Sequence, residues 1–258
     1  MNEDDFLITD NLFCAFDGIT SLVKYIDPDG KTGGKLGSYF AKEIFTANSD
    51  RPLLEIARLA NERLGEEMRK RNIDTRFKLN LWGTTLAAIK LENNYAEYIQ
   101  IGDSPIVFIN EDGELTSITT NYKIDLEILV LWERLVREGV DNIRNDRRIV
   151  DVKNKVRKRI NMDYGVLNGE KEVFSFIKTG KIPLDDIKHI LLMTDGVKVL
   201  QEDPRKDEDM KVLISLFLDG GVNAMLKYVR NGENSDPECR KYPRTKMHDD
   251  ATAIAISL

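Results

Sequence analysis

The chain has 258 residues, 41% of them apolar and 32% charged, with a net charge of −6 from 38 basic and 44 acidic side chains. That length suits one large domain or two small ones, and the acidic balance argues against nucleic acid or an anionic membrane as partner. No apolar run approaches the ~20 residues needed to span a bilayer, and the "MNEDDF" start is acidic rather than signal-like, so the cytoplasm is the expected compartment.

In chain order, "DFLIT" and "LFCAFD" read as a hairpin joined by Asp10-Asn11. The run Leu12 to Phe16 stops at Asp17-Gly18, so Asp17 is expected just past the end of a buried strand. Gly18 allows either a sharp turn or a close approach of backbone. Cys14, inside the strand, reads as a core residue. Residues 37–48 and 51–72 are helical, the second with an apolar face of Leu54, Ile56, Ala57, Leu59, Ala60 and Leu64 and with Pro52 at its first turn. Strands follow at 84–92, 95–102, 105–110 and 115–119, spaced as a meander with turns at Asn93-Asn94 and Asp112-Gly113. Residues 125–139 and 147–161 return to helical spacing. "HILLMTDG" (189–196) is a second buried strand ending in Asp-Gly, a helix covers about 207–230, and 251–258 closes the chain as a strand. Antiparallel strands interleaved with paired helices imply an α+β fold of sheets covered by helical layers.

Acidic residues punctuate these strands. Asp17, Asp103 and Asp195 follow apolar strands, Asp249 and Asp250 precede the last, and Glu3, Asp4 and Asp5 precede the first. Carboxylates gathered at one rim repel unless neutralised, and oxygen ligands without a His/Cys set favour Mg²⁺ or Mn²⁺. Two such ions sharing a carboxylate suit phosphoryl chemistry. Alternatively, the acids lie at opposite strand ends and never meet.

The ordered set "NEDDF" (2–6), "AFDG" (15–18), "GTTLAAI" (83–89), "IGDS" (101–104), "LLMTDGV" (191–197) and "DDATAIAI" (249–256) resembles the metal-dependent protein phosphatases of the PP2C type, in a divergent bacterial form. The resemblance runs over nearly the whole chain. It implies a single domain over 1–258, a four-layer α-β-β-α sandwich with two antiparallel sheets, and a variable helical insert at about 121–180. It also implies a dinuclear Mn²⁺ or Mg²⁺ centre, with a third ion in many bacterial members. Asp17 matches the aspartate bridging both metals, and Gly18 offers its carbonyl. Asp195 and Asp249 match the aspartates on one metal, Glu3 and Asp4 the acidic pair reaching the other, and Asp103 the aspartate of the third site. The implied chemistry is attack of a metal-activated water on a phosphate monoester, with Asp17, Asp195 and Asp249 as catalytic positions.

The sequence departs from the pattern in three places. Ile19-Thr20-Ser21 stands where a Met or His and two glycines are usual. No arginine precedes the acidic pair, where the family grips the substrate phosphate. Pro105 replaces the arginine after "GDS". The cations Arg240, Lys241, Arg244 and Lys246 could meet a phosphate instead, although a solvated loop is the plainer expectation. His248 reads as a hydrogen-bond partner of Asp249 rather than a proton donor. His189 reads as structural, and Trp82 and Trp132 as core anchors. The basic stretch 144–161 is expected to be a solvated face, with docking of an acidic or phosphorylated partner as the alternative. Residues 202–210 read as a rim of the cleft. The leading functional reading is dephosphorylation of serine and threonine in proteins by a monomer opposite a cognate kinase. The alternatives are a catalytically silent regulatory module and a hydrolase of a small phosphorylated molecule.

Overall fold

The computed structural model describes residues 1–119 and 123–258. In chain order the elements are β1 (Asp5–Ile8), β2 (Leu12–Phe16), β3 (Gly18–Ile19), α1 (Gly33–Ala47), α2 (Leu53–Lys70), β4 (Gly83–Thr84), β5 (Leu86–Leu91) and β6 (Tyr95–Ile101). They continue with β7 (Ile106–Ile109), β8 (Leu115–Ile118), α3 (Leu126–Arg137), α4 (Arg147–Lys158), β9 (Lys178–Pro183), β10 (His189–Met193), α5 (Met210–Asn234) and β11 (Ala253–Ser257).

Strands β1-β2-β5-β6-β9 form one antiparallel sheet, β11-β10-β7-β8 a second, and β3-β4 a short ribbon. The central strands are buried on both faces, which explains their continuous apolar runs. From the first sheet, Cys14, Phe16, Ala88 and Ile101 pack on Phe45, Ile56 and Leu64 of α1 and α2. The alternate residues Ala15, Ala87 and Ile89 meet Ile190, Leu192 and Ile254 of the second sheet. That sheet turns Val107, Ile109, Leu191 and Met193 toward Leu213, Ile214 and Phe217 of α5. Two sheets therefore lie between helical layers, and the sandwich implied by the motif set is the fold. Helices α3 and α4 have a core of their own, in which Trp132, Ile149 and Val156 surround Cys239.

Several boundaries differ from the sequence reading. Helix α1 begins at Gly33, four residues before position 37, with Thr32 as its cap. Gly33, Gly34 and Gly37 allow tight packing rather than breaking the helix: a Cβ on Gly33 would lie 2.6 Å from the Trp82 ring. Pro52 caps α2 instead of entering its first turn. The expected meander splits, because β7 crosses to the second sheet and pairs with β10. Strand β9 was not anticipated. It is a polar edge strand with a glycine and a terminal proline, pairing with β6, and such an edge carries little hydrophobic alternation. Of the expected insert at 121–180, residues 121 and 122 lie outside the described residues and 178–180 belong to β9. Asp17-Gly18 is not a turn, since Gly18 opens β3 and pairs with Thr84.

Helix α5 also corrects the reading of apolar runs. Among the described residues it is the one helix long and apolar enough to cross a membrane by length and composition, with a mean hydropathy of 1.4. Gly220 and Gly221 leave helical geometry within it, however, and Leu213, Ile214, Phe217 and Met225 pack on the sheet.

Candidate active site

The acidic punctuation converges. The stretch before β1 crosses from one sheet to the other: the Glu3 N–H donates to Asp250 Oδ2 at 2.7 Å, and Asp4 Oδ2 accepts from Thr194 and Thr252 Oγ1, both at 2.8 Å. Thr194 directly follows β10 and Thr252 directly precedes β11, so Asp4 is held at the edge of the second sheet. The Asp17 carbonyl accepts from Thr84 Oγ1 at 2.8 Å and Thr85 N at 3.0 Å, which anchors the residue between β2 and β3. Gly18 is required by close approach: a Cβ there would strike the Glu3 carbonyl and lie 2.5 Å from that of Gly34. Gly196 likewise lies against the Asp250 carbonyl, which brings the Asp195 loop and the last motif together. From α5, Arg230 donates to the Asp249 carbonyl at 2.6 Å.

The electrostatics record the crowding. Burial, then the carboxylates of Asp195, Asp4, Asp103 and Asp249, push the Asp17 carboxyl well above its ordinary range. Asp4 is pushed up to about 6 by burial, opposed by the two threonine hydroxyls and reinforced by Asp195 and Asp250. Burial and Asp195, with Asp125, raise Asp103. Asp195 is raised by burial against the pull of Lys198. Two ammonium groups stand among these acids, Lys198 at 3.6 Å from Asp195 and Lys246 at 2.6 Å from Asp249.

The Glu3 side chain is held at the start of α1. Its carboxylate accepts from Thr20 Oγ1 at 2.5 Å and from Thr32 Oγ1. It thus faces the N-terminus of α1, where a negative charge is favourable.

Asp4, Asp103, Asp195 and Asp249 therefore come within electrostatic reach of Asp17, while the Glu3 carboxylate is engaged by Thr20 and Thr32. A cleft of about 190 Å³ opens beside Asp103, Asp195 and Asp249, with Asp125, Lys198 and Lys246 also on its walls. Pro204, Lys206 and Glu208 place the 202–210 loop on its rim. Among the described residues, no three His, Cys, Asp or Glu side chains converge closely enough to ligate one ion. The donor chemistry nevertheless fits a hard cation. The acids offer oxygen only, they repel one another, and Asp4 Oδ1 is buried without a hydrogen-bond partner.

The histidines and the basic loop resolve differently. His248 Nε2 meets Asn234 Oδ1 at 2.9 Å instead of Asp249. His189 Nδ1 meets Ser257 Oγ at 2.9 Å and stacks edgewise on Phe217, in keeping with a structural role. Arg244 is buried, not solvated, and is committed to Asp236 at 2.8 Å and to surrounding carbonyls. Arg240 and Lys241 pair with Glu238 and Glu202, so Lys246 alone of the four joins the acidic cluster. Trp82 is fully buried, and Trp132 donates from its indole to the Cys239 carbonyl at 2.8 Å.

Sequence reasoning missed Thr194, Thr252, Asp125 and Lys198. A threonine before Asp-Gly is a discernible signal, but Asp125 reads as an ordinary residue at the start of a helix.

The protein phosphatase 2C family profile matches residues 1–229. The serine/threonine phosphatase PstP of Mycobacterium tuberculosis is similar in structure, with 19% identity, a TM-score of 0.59, and coverage of 100% of this chain and 92% of that one. Its catalytic domain in complex with two manganese ions gives 18% identity and a TM-score of 0.57, covering 99% and 91%. PppA of Pseudomonas aeruginosa gives 15% and 0.55, covering 100% and 92%. Comparison with curated protein sequences finds no match.

Proposed function

The chain belongs to the protein phosphatase 2C family, and on that premise we propose that it removes phosphate from serine and threonine side chains of proteins, using Mn²⁺ or Mg²⁺. The observation that carries the reading is the gathering of Asp4, Asp103, Asp195 and Asp249 around Asp17, each raising its carboxyl. In this reading Asp17, Asp195, Asp249 and Asp4 hold two ions, the Gly18 carbonyl adds a ligand, Asp103 serves a third ion, and Glu3 supports Asp4 from the α1 terminus. Bound divalent ions would lower the pKa of a coordinated water and offset charge on the phosphoryl oxygens. The chain's own contribution is to fix the carboxylates. Asp4 is clamped by two threonines, the Asp17 backbone by Thr84 and Thr85, and the Asp249 backbone by Arg230. Lys198 and Lys246 balance the acids and would yield part of that role to bound metal. The reading places the protein in the cytoplasm, opposite a cognate Ser/Thr kinase.

The silent regulatory module is favoured by one observation: Lys246 and Lys198 already pair with Asp249 and Asp195. Hydrolysis of p-nitrophenyl phosphate with Mn²⁺, Mg²⁺ or chelator separates the two. Metal-dependent turnover that falls by at least about 100-fold in Asp17→Asn is expected. No turnover by the folded protein under any metal would select the module.

A further inference from the structure

Helix α3 presents three different faces. Ile128, Leu131, Trp132 and Leu135 close the core that it shares with α4. Glu127 meets Lys155 and Arg159 of α4 at 3.1 and 2.6 Å, so the basic stretch of α4 presents an ion-paired, solvated face there. Leu126 and Leu129, three residues apart and so neighbours on the helix surface, serve neither purpose. Both are half-buried, neither packs into the described cores, and both line the cleft that opens beside Asp103, Asp195 and Asp249.

A surface helix docks through one apolar stripe, and the rest of its surface is ordinarily polar. The second apolar pair is therefore surplus to the α3–α4 core. Val199, Met210 and Pro243 add further apolar lining to the same cleft. The 202–210 loop at its rim is tied down at two points. Lys123 donates to the Arg205 carbonyl at 3.1 Å, and the Arg205 guanidinium meets Glu133 of α3 at 2.8 Å. The cleft is thus bounded by pinned elements, and its 190 Å³ has room for one aromatic ring or one leucine side chain, since a cavity of about 150 Å³ holds benzene. Acids and leucines share this one space. A phosphate gains nothing from an apolar wall, so the wall contributes to binding only when a large hydrophobic group lies near the phosphate. Phosphoserine and phosphothreonine carry no such bulk themselves, which leaves a neighbouring residue of the same peptide.

We propose that this wall is a side-chain subsite, which takes one large aromatic or aliphatic residue close in sequence to the phosphoserine or phosphothreonine, with Leu126 and Leu129 as specificity-determining residues. This rests on the phosphatase reading and narrows its substrate class to phosphorylated segments with a hydrophobic neighbour.

The test uses the full chain with Mn²⁺ and phosphothreonine peptides that carry alanine at every flanking position except one, which is Phe, Leu or Asp. For Phe or Leu at one position, kcat/KM is expected to rise by about tenfold or more over the all-alanine peptide, with no gain for Asp. Leu129→Trp fills the cleft and Leu129→Ser strips its wall. In either variant, with folding checked by Tm, the preference is expected to fall toward unity, whereas Val150→Ser, on the exposed surface of α4, keeps it. A parent indifferent to the neighbouring residue, or a preference that survives in the folded Leu129 variants, would overturn the subsite and leave the phosphatase reading standing. Faster hydrolysis of a phosphotyrosine peptide, without dependence on its neighbours, would also overturn it by seating the ring of the phosphorylated residue itself in the cleft. If the parent hydrolyses nothing, the Kd values of the same peptides, measured by calorimetry, still decide. Tighter binding of the Phe peptide that Leu129→Trp abolishes would uphold the subsite while the hydrolytic reading fails, and binding that is absent or indifferent to the neighbour would sink it.

Discussion

Asp236 and Arg244 form a buried ion pair, 8% and 7% exposed, at the C-terminal end of α5. Burial alone would raise the Asp236 carboxyl, but the Tyr242 N–H, the Arg244 guanidinium and the Lys241 and Arg240 N–H groups outweigh it and hold the carboxyl below its usual range. Asp236→Asn would leave a guanidinium buried without its counter-charge, and a loss of about 3–5 kcal/mol in urea unfolding is expected. The sign with pH follows from the depressed folded value. The stabilisation is fully present above the unfolded carboxylate pKa of about 3.9 and is lost as pH falls through the folded value. The parent should therefore lose stability on acidification below about pH 4 by more than the variant does. Gly18 makes a steric claim instead. Gly18→Ala places a methyl group against the Glu3 and Gly34 carbonyls, neither of which is a flexible side-chain end, and should cost about 1–3 kcal/mol in the same assay.

Helix α5 is two helical segments joined at Gly220-Gly221. Gly221, with φ +67° and ψ −168°, occupies backbone space that is essentially open to glycine alone. Gly221→Ala has nothing within 4 Å to clash with, so its expected cost of about 1–3 kcal/mol is purely conformational and should appear as a lowered Tm. The break is consequential because the two segments do different work. The first covers the second sheet through Leu213, Ile214 and Phe217, and the second adds Met225 to that packing and brings Arg230 to the Asp249 carbonyl.

For the molecule as a whole, crowded carboxylates oppose folding until a cation offsets them. Mn²⁺ that binds only the folded chain should raise stability by about 2.7 kcal/mol at a hundredfold excess over its Kd, seen as a higher Tm. Asp17→Asn removes the carboxylate that four neighbours push upward. It should raise the Tm of the metal-free protein at pH 7 and abolish most of the Mn²⁺-induced increase. A functional site that destabilises its own scaffold is the expected trade. A Tm that is indifferent to Mn²⁺ in the parent would count against the ions themselves.

The buried strands were legible from the chain because their apolar runs and the acid at each end are local features. β2 and β10 begin within a residue of where the pattern places them, and Asp17 and Asp195 follow them closely. The long helices were legible for the same reason, since the apolar face of α2 repeats every turn. Sheet assignment was not, because nothing within β7 distinguishes a partner in one sheet from a partner in the other. Nor was β9, whose exposed edge needs no apolar alternation. At the site, the order of the acids along the chain pointed to their residues. Which carboxylates actually meet depended on contacts such as Glu3 N to Asp250, 247 positions apart. The same distinction separates Arg244 from Arg157. Both are arginines in basic stretches, yet one is enclosed by Asp236 and carbonyls, while the other is half-buried with its Nη1 left without a partner. Periodicity and residue type are properties of a few consecutive residues. The pairing of a buried charge is set by whatever the folded chain brings opposite it.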